Sequence, residues 1–270
     1  MSATRKFEVP GLSLARELFR KGTDCLGPEE VEFAFGASFA PAPEDIPPIP
    51  LSEAMLKHLR KLGVYLELHG PTAMVELYDA LGNKLDEGKL LYDNSWYQNE
   101  AFYTKEKSLR WHWRATLKGL VPDSTSKKYL SQTRVLAEYL KDNVFAGQSL
   151  PKALAEAVTE LNDCEASLSK LVEEDWQKGA EQLADLAINQ RCRQTPAQTL
   201  WSIALYKRVN GEYVLPNVWA WTNQRSSNGN LVLVGEAGAD GVIVAPGAPW
   251  GSGDGLGAQF SCSVEDYLVS

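Results

Sequence analysis

Apolar residues recur at helical spacing through most of this chain and at strand spacing only in short pieces. A short amphipathic helix is predicted around Leu12 to Arg20, followed by a proline-rich stretch from Ala37 to Pro50 that reads as a loop or linker, with a boundary plausible near residue 50. Ser52 then caps a helix in which Met55, Leu56 and Leu59 share a face, and Gly63 stops it. VYLELH alternates as a strand, and Pro71 at a first helical position opens a helix that buries Met74, Val75 and Leu77 and ends at Gly82. Leu109 to Leu117, with Trp111 and Trp113 interleaved with arginines, has a period of two and predicts another strand.

A long helix is predicted from about Ser126 to Asn143, because Tyr129, Leu136 and Leu140 lie on one stripe. Two more cover about Leu150 to Asn162 and Glu165 to Ile188. Thr195-Pro196-Ala197-Gln198 carries a capping box with proline at N1, so a helix burying Trp201 and Leu205 runs to about Gly211. Beyond it the pattern changes. LVLVG, GVIVA and LGAQFSCSV read as strands separated by turns such as Ala239-Asp240-Gly241, whose Asp-Gly pair suits positive φ angles.

Composition narrows the function classes. With 35 acids against 27 bases, the net charge of −8 gives no field for holding a nucleic-acid backbone. No stretch approaches the roughly 20 apolar residues of a membrane helix, and the N-terminus has no apolar signal region. Cys25, Cys164, Cys192 and Cys262 are widely spaced, which points to free, mostly buried thiols and a reducing compartment. No cofactor and no metal site are expected.

Candidate chemistry is sparse. Gly251-Ser252-Gly253-Asp254-Gly255-Leu256-Gly257 resembles a phosphate loop only in glycine content, since a strand and not a helix follows it. Ser252 lacks the outer glycines of a nucleophile elbow, and Ser167-Leu168-Ser169-Lys170 lies within a charged helical run. The histidines, His58, His69 and His112, lie far from the glycine region, and His112 reads as a strand residue facing solvent or a polar neighbour. Glu236, Asp240 and Asp254 form no calcium loop, and Asp240 reads as a turn former.

From Ser226 to Ser270 there is no lysine or arginine, and nine of the 21 glycines fall between Gly229 and Gly257. Large residues such as Leu233, Ile243 and Trp250 stand among small ones there, as rigid anchors do in a paratope. The segment WTNQRSSNGNLVLVGEAGADGVIVAPGAPWGSGDGLGAQFSCSV resembles the C-terminal variable region of diversity-generating retroelement target proteins. The frame that carries the resemblance is Trp221-Thr222, Arg225-Ser226-Ser227, Gly229-Asn230-Leu231-Val232, Val234-Gly235, Asp240-Gly241-Val242, Pro249, Ser252 and Leu256-Gly257 through Ser263. The TP-x-Q helix start before it is similar to a helix of that fold, and coverage is good from about residue 105 onward.

The resemblance implies an α+β chain with a C-type lectin-like fold of the formylglycine-generating-enzyme type, several helices, a small antiparallel sheet and an irregular glycine-rich variable region. Residues 1–62 would be an N-terminal segment with a proline-rich linker, and 63–270 the lectin-like domain, variable over about 225–264. It implies a non-catalytic, receptor-like protein that binds a protein or a surface glycan. Its diversified contacts would be Leu233, Glu236, Gly238, Ile243, Ala245, Pro246, Ala248, Trp250, Gly251, Gly253 and Gly255. Gly247 departs from the family, whose members tend to have tryptophan there. Glu236 and Trp250 depart too, because adenine changes alone do not derive them from an asparagine codon.

Two rivals accompany this reading. One is a structural or assembly component of a virion or cell surface. The other is a formylglycine-generating-type oxidase, which needs paired C-terminal cysteines where Cys262 stands alone, or a related iron enzyme, which needs a clustered His/Glu triad. The usual calcium-dependent sugar signatures are absent. Location is expected in the cytoplasm, or on a virion or cell surface reached without a cleaved signal.

Overall fold

The computed structural model describes residues 8–20 and 22–268; the first seven residues of the expected N-terminal segment lie outside them. Helix α1 (Leu12–Leu18) buries Leu12 and Ala15, and β1 (Cys25–Leu26) follows it. Pro28, whose missing N–H is harmless at a helix start, opens α2 (Pro28–Phe35). After the proline-rich stretch, Ser52 caps α3 (Glu53–Lys61) by accepting a hydrogen bond from the Met55 N–H at 3.2 Å. β2 (Val64–His69) is buried along its whole length.

Helix α4 (Met74–Leu81) starts later than Pro71 implies, because Glu76 reaches back to the Ala73 N–H and sets the cap there. Of its expected inner residues Met74 and Leu77 are buried, while Val75 is half-exposed. A small hairpin of β3 (Lys84–Leu85) and β4 (Gly88–Lys89) and a single turn, α5 (Ala101–Thr104), lead to β5 (His112–Leu117). Helix α6 (Tyr129–Tyr139) continues into a π-helical turn, Leu140–Val144.

The next region differs from its sequence pattern. One helix, α7 (Lys152–Glu174), crosses the expected break near Cys164, because Leu154, Ala157, Leu161 and Leu168 keep one stripe buried throughout. The expected helix to Ile188 is instead divided. Asp175 leaves helical geometry and caps α8 (Trp176–Asp185) through the Lys178 N–H, and an extended Leu186 separates α9 (Ala187–Cys192). Helix α10 (Pro196–Asn210) has the expected capping box between Thr195 and Gln198 and ends at a left-handed Gly211.

The C-terminal region contributes β6 (Trp219–Arg225), which sequence periodicity did not reveal, then β7 (Leu231–Gly238), β8 (Gly241–Gly247), β9 (Leu256–Gly257) and β10 (Ser261–Ser263). Instead of one small antiparallel sheet, the strands make two four-stranded mixed sheets beside the β3–β4 hairpin. The first runs β1-β2-β5-β10 and the second β8-β7-β6-β9. Parallel pairs, β1 with β2 and β6 with β9, occur in each. The fold is therefore α+β, with helices and sheets sharing one core.

That core ignores residue 62. Leu12, Val31 and Phe35 belong to the same buried cluster as Leu66, Leu200 and Val234. The Trp113 indole also donates to the Pro47 carbonyl at 2.9 Å. No helix among the described residues is long and apolar enough to cross a membrane.

Candidate ligand-binding face

The second sheet sorts its residues by parity. Trp221, Leu233 and Ala245 lie directly opposite one another across β6, β7 and β8, and Trp219, Gly235 and Ile243 form the next row. Successive side chains on a strand point to opposite faces. The even-numbered Val232, Val234, Val242 and Val244 are therefore on the other face, and all four are buried. Trp219, Ile243, Ala245 and Leu256 are half-exposed. The valine face thus packs inward, while the other is closed at its centre by buried Trp221 and Leu233 and half-open at its margin, where two of the expected contacts, Ile243 and Ala245, lie.

The other expected contacts are spread around this surface. Pro246 pairs with Val232 and has the opposite parity, so its exposed ring does not share the face. Ala248, Trp250 and Gly251 form a turn over Trp221, closed by the Gly251 N–H to Ala248 carbonyl bond at 2.8 Å. Trp250 is 48% exposed and meets Trp176 of α8 edge to face, with ring centroids 5.6 Å apart. Gly253 and Gly255 belong to the following turn, where Gly253 accepts from the Ser126 N–H and Gly255 from the Trp219 N–H. Glu236 and Gly238 lie toward the far hairpin tip, roughly 10 and 17 Å along the strand from Leu233 by strand rise. Glu236 sits at φ 45° in a bulge between Gly235 and Gly238. Of the Asp240-Gly241 pair, only Gly241 takes a positive φ.

The Trp221 ring accounts for the glycine at 247. It is buried, meets Tyr129 edge to face at 5.5 Å, and fills the space over the strand. A Cβ at Gly247 would overlap this ring and approach Leu233 Cδ2 to 2.9 Å. Gly247→Ala is therefore expected to destabilise the fold by about 1–3 kcal/mol as an overpacked site. Urea unfolding checks this, and an unchanged midpoint would mean that Trp221 moves aside freely.

Beneath the helices lies a separate polar cluster. The β2–β5 register sets Glu67 opposite Arg114 and His69 opposite His112, with the two imidazoles 5.5 Å apart. Glu67 Oε1 lies 2.9 Å from Ser202 Oγ and 3.2 Å from His69 Nε2, and Gln194 donates to Ser202 at 2.7 Å. A serine, a histidine and an acid are thus in contact. They cannot act as a catalytic relay, because Ser202 and Glu67 meet the same imidazole nitrogen and a relay uses opposite ones. Glu67, His69 and Ser202 are also all buried. Of the two surroundings expected for His112, solvent or a polar neighbour, it has the second, with the Arg110 carbonyl at 3.2 Å and the Gln198 amide at 3.4 Å; burial first, then the neighbouring His69 and Arg114, pushes its pKa down to about 3.

All four cysteines are free, and Cys262 donates to Asp266 Oδ2 at 3.7 Å. The neighbouring Cys192 thiol first, and burial second, raise the Cys262 thiol well above its ordinary range. A buried thiol held neutral is a weak nucleophile and a weak metal ligand. Among the described residues no group of three or more His, Cys, Asp or Glu side chains is arranged to hold a metal ion.

Three scaffold aromatics that sequence reading missed flank the sheet face: Tyr92, Trp96 and Trp176. Trp96 donates its indole N–H to the Val244 carbonyl on β8 at 3.0 Å. Their one sequence signal is a set of large rings in polar surroundings, Tyr92 and Trp96 in YDNSWYQNE and Trp176 in EEDWQK. No family model, no curated protein and no solved structure matches this chain.

Proposed function

We propose that this chain is a non-catalytic, receptor-like protein on a C-type lectin-like scaffold, and that a diversity-generating retroelement varies its C-terminal sheet face. The observation that carries the proposal is the parity of β7 and β8. Val232, Val234, Val242 and Val244 anchor the backbone in the core and Leu233 is buried beside Trp221, while Ile243 and Ala245 point to the half-open side. Substitution at Ile243 and Ala245 leaves the buried frame intact, which is the physical requirement of a surface built to vary on a rigid scaffold.

The face offers apolar contact and no convergent acid–base group. Glu236 and Asp240 stand at the hairpin tip and Asp254 in the loop before β9, all exposed. Such a surface binds by shape and burial, and its ligand is a protein or a surface glycan. The protein would meet that ligand in the cytoplasm or on a virion or cell surface.

The test is to sequence the genomic neighbourhood and many copies of the gene's 3′ end. A nearby near-copy of the last codons, differing mainly at adenines and accompanied by a reverse transcriptase gene, is the expected result. An invariant 3′ end without a repeat would overturn the proposal and return Trp250 and the glycine loop to ordinary structure.

A further inference from the structure

The outer flank of β8 is closed by a segment outside the variable region. The Lys89 N–H donates to the Ala239 carbonyl, the Val242 N–H to the Leu90 carbonyl, and the Tyr92 N–H to the Val242 carbonyl, each at 3.0 Å. Together with the Trp96 indole bond to Val244, these contacts hold residues 89–96 alongside the strand that carries Ile243 and Ala245. Two large rings are left open on this flank, with Tyr92 55% and Trp96 38% exposed.

The charges beside those rings are mostly negative. Asp93 stands between them, and its carboxyl is held below its ordinary range, first by the Ser95 N–H and then by the Ser95 hydroxyl. Exposed Asp240 and Glu236 lie at the adjoining hairpin tip, and exposed Asp86 and Glu87 lie in the β3–β4 turn that packs against Ala239. Lys84 and Lys89 are the cations of that turn, Arg208 reaches Asp86 at 3.9 Å, and residues 226–270 contribute no lysine or arginine. Exposed ring faces beside carboxylates suit guanidinium and ammonium groups, which bind rings through cation–π attraction and carboxylates through charged hydrogen bonds. A neutral sugar would use the rings without needing the acids.

Building on the receptor reading above, we propose that Tyr92, Asp93 and Trp96 form a fixed rim of the binding face that receives arginine or lysine side chains of a basic protein ligand. The rim stays constant whichever residues occupy the varied positions of β7 and β8. Constant charge steering and varied apolar contacts then divide association rate and selectivity between them.

The purified full chain is titrated with a fluorescein-labelled peptide of alternating arginine and alanine, with its glutamate counterpart, and with maltohexaose, each at low and high salt. The expected result is binding of the arginine peptide alone, weakened by salt, and weakened about 2- to 5-fold by Asp93→Asn and again by Trp96→Ala, the range of single exposed charge and cation–π contacts. Asp93 accepts from the Ser95 N–H and hydroxyl within its own turn, so an unchanged unfolding midpoint in Asp93→Asn is checked alongside, and Asp142→Asn in the π-helical turn serves as the control for overall charge. Absence of arginine-peptide binding, equal binding of the glutamate peptide, or equal losses from Asp93→Asn and Asp142→Asn would overturn the rim. An invariant 3′ end with intact, Asp93-dependent binding would instead overturn the retroelement reading and leave the rim standing. Varied 3′ ends with maltohexaose binding untouched by Asp93→Asn would do the reverse.

Discussion

Glu67→Ala is expected to lower the unfolding free energy by about 2–5 kcal/mol, because it leaves buried hydrogen-bond donors without their acceptor, at about 1–3 kcal/mol each. Glu67 is fully buried and faces Arg114 across the β2–β5 ladder, and Arg114 is itself buried. The Arg114 guanidinium donates to the Ser261 hydroxyl at 2.8 Å and the Ser261 carbonyl at 2.6 Å, which are neutral acceptors. Removing Glu67 takes the acceptor from the Ser202 hydroxyl, from His69 and from the Gln194 amide. Domains are commonly stable by only about 5–15 kcal/mol, so this loss consumes much of the margin. Urea unfolding followed by tryptophan fluorescence measures it, with Glu67→Gln as the variant that keeps the shape and removes the charge. A change below about 1 kcal/mol in Glu67→Ala would show that the polar cluster is not what ties β2 to β5 and α10.

Acid is expected to destabilise the protein before most carboxylates are protonated, and His112 to carry a measurable part of the effect. An imidazole in the unfolded chain titrates near 6.5, whereas His112 in the fold is held at about 3. Between those values the unfolded state binds a proton that the folded state refuses. Stability is therefore complete above pH 6.5 and falls as the pH drops toward 3. At about 1.4 kcal/mol per pH unit the full window amounts to roughly 4–5 kcal/mol, reduced by the partial solvent contact of the ring. His69, also pushed down by burial, adds in the same direction. Unfolding midpoints at pH 7 and pH 4 should separate far less in His112→Gln than in the parent. Equal separations would show that the ring is solvated and titrates normally.

The two four-residue signals around Ser52 and Thr195 were readable because a cap is a local contract between a side chain and an N–H three residues away. Gly82 and Gly211 were readable for the same reason. The division at Asp175 and Leu186 was not, because nothing local forbids a helix through either residue, and both leave it for contacts made elsewhere. Long-range pairing hid the rest. β10 joins β5 through partners such as Cys262 and Ala115, and the same kind of register brings His69 to His112. On β7 the run Leu231-Val232-Leu233-Val234 is apolar on both parities, so periodicity does not separate Leu233 from Val232 and Val234; the resemblance set Leu233 apart as a contact, and all three are buried. The contact list drawn from the resemblance therefore mixed the open face with the hairpin tip and the opposite side at Pro246. Tyr92 and Trp96 escaped notice because residues 90–96 have no strand pattern of their own and gain their place only by lying along β8.

That arrangement along β8 bears on what a changing sequence can do safely. β8 is the last strand of its sheet, and an unpaired outer strand rich in apolar residues is a template onto which a second molecule can add in register. Here the backbone groups that would recruit it are already engaged: the Val242 N–H and carbonyl by residues 90 and 92, and the Val244 carbonyl by the Trp96 ring. Edge-to-edge addition along Val242 and Val244 is therefore obstructed, and under the receptor proposal a varied Ile243 or Ala245 can become larger and more apolar with less risk of one molecule adding to the next.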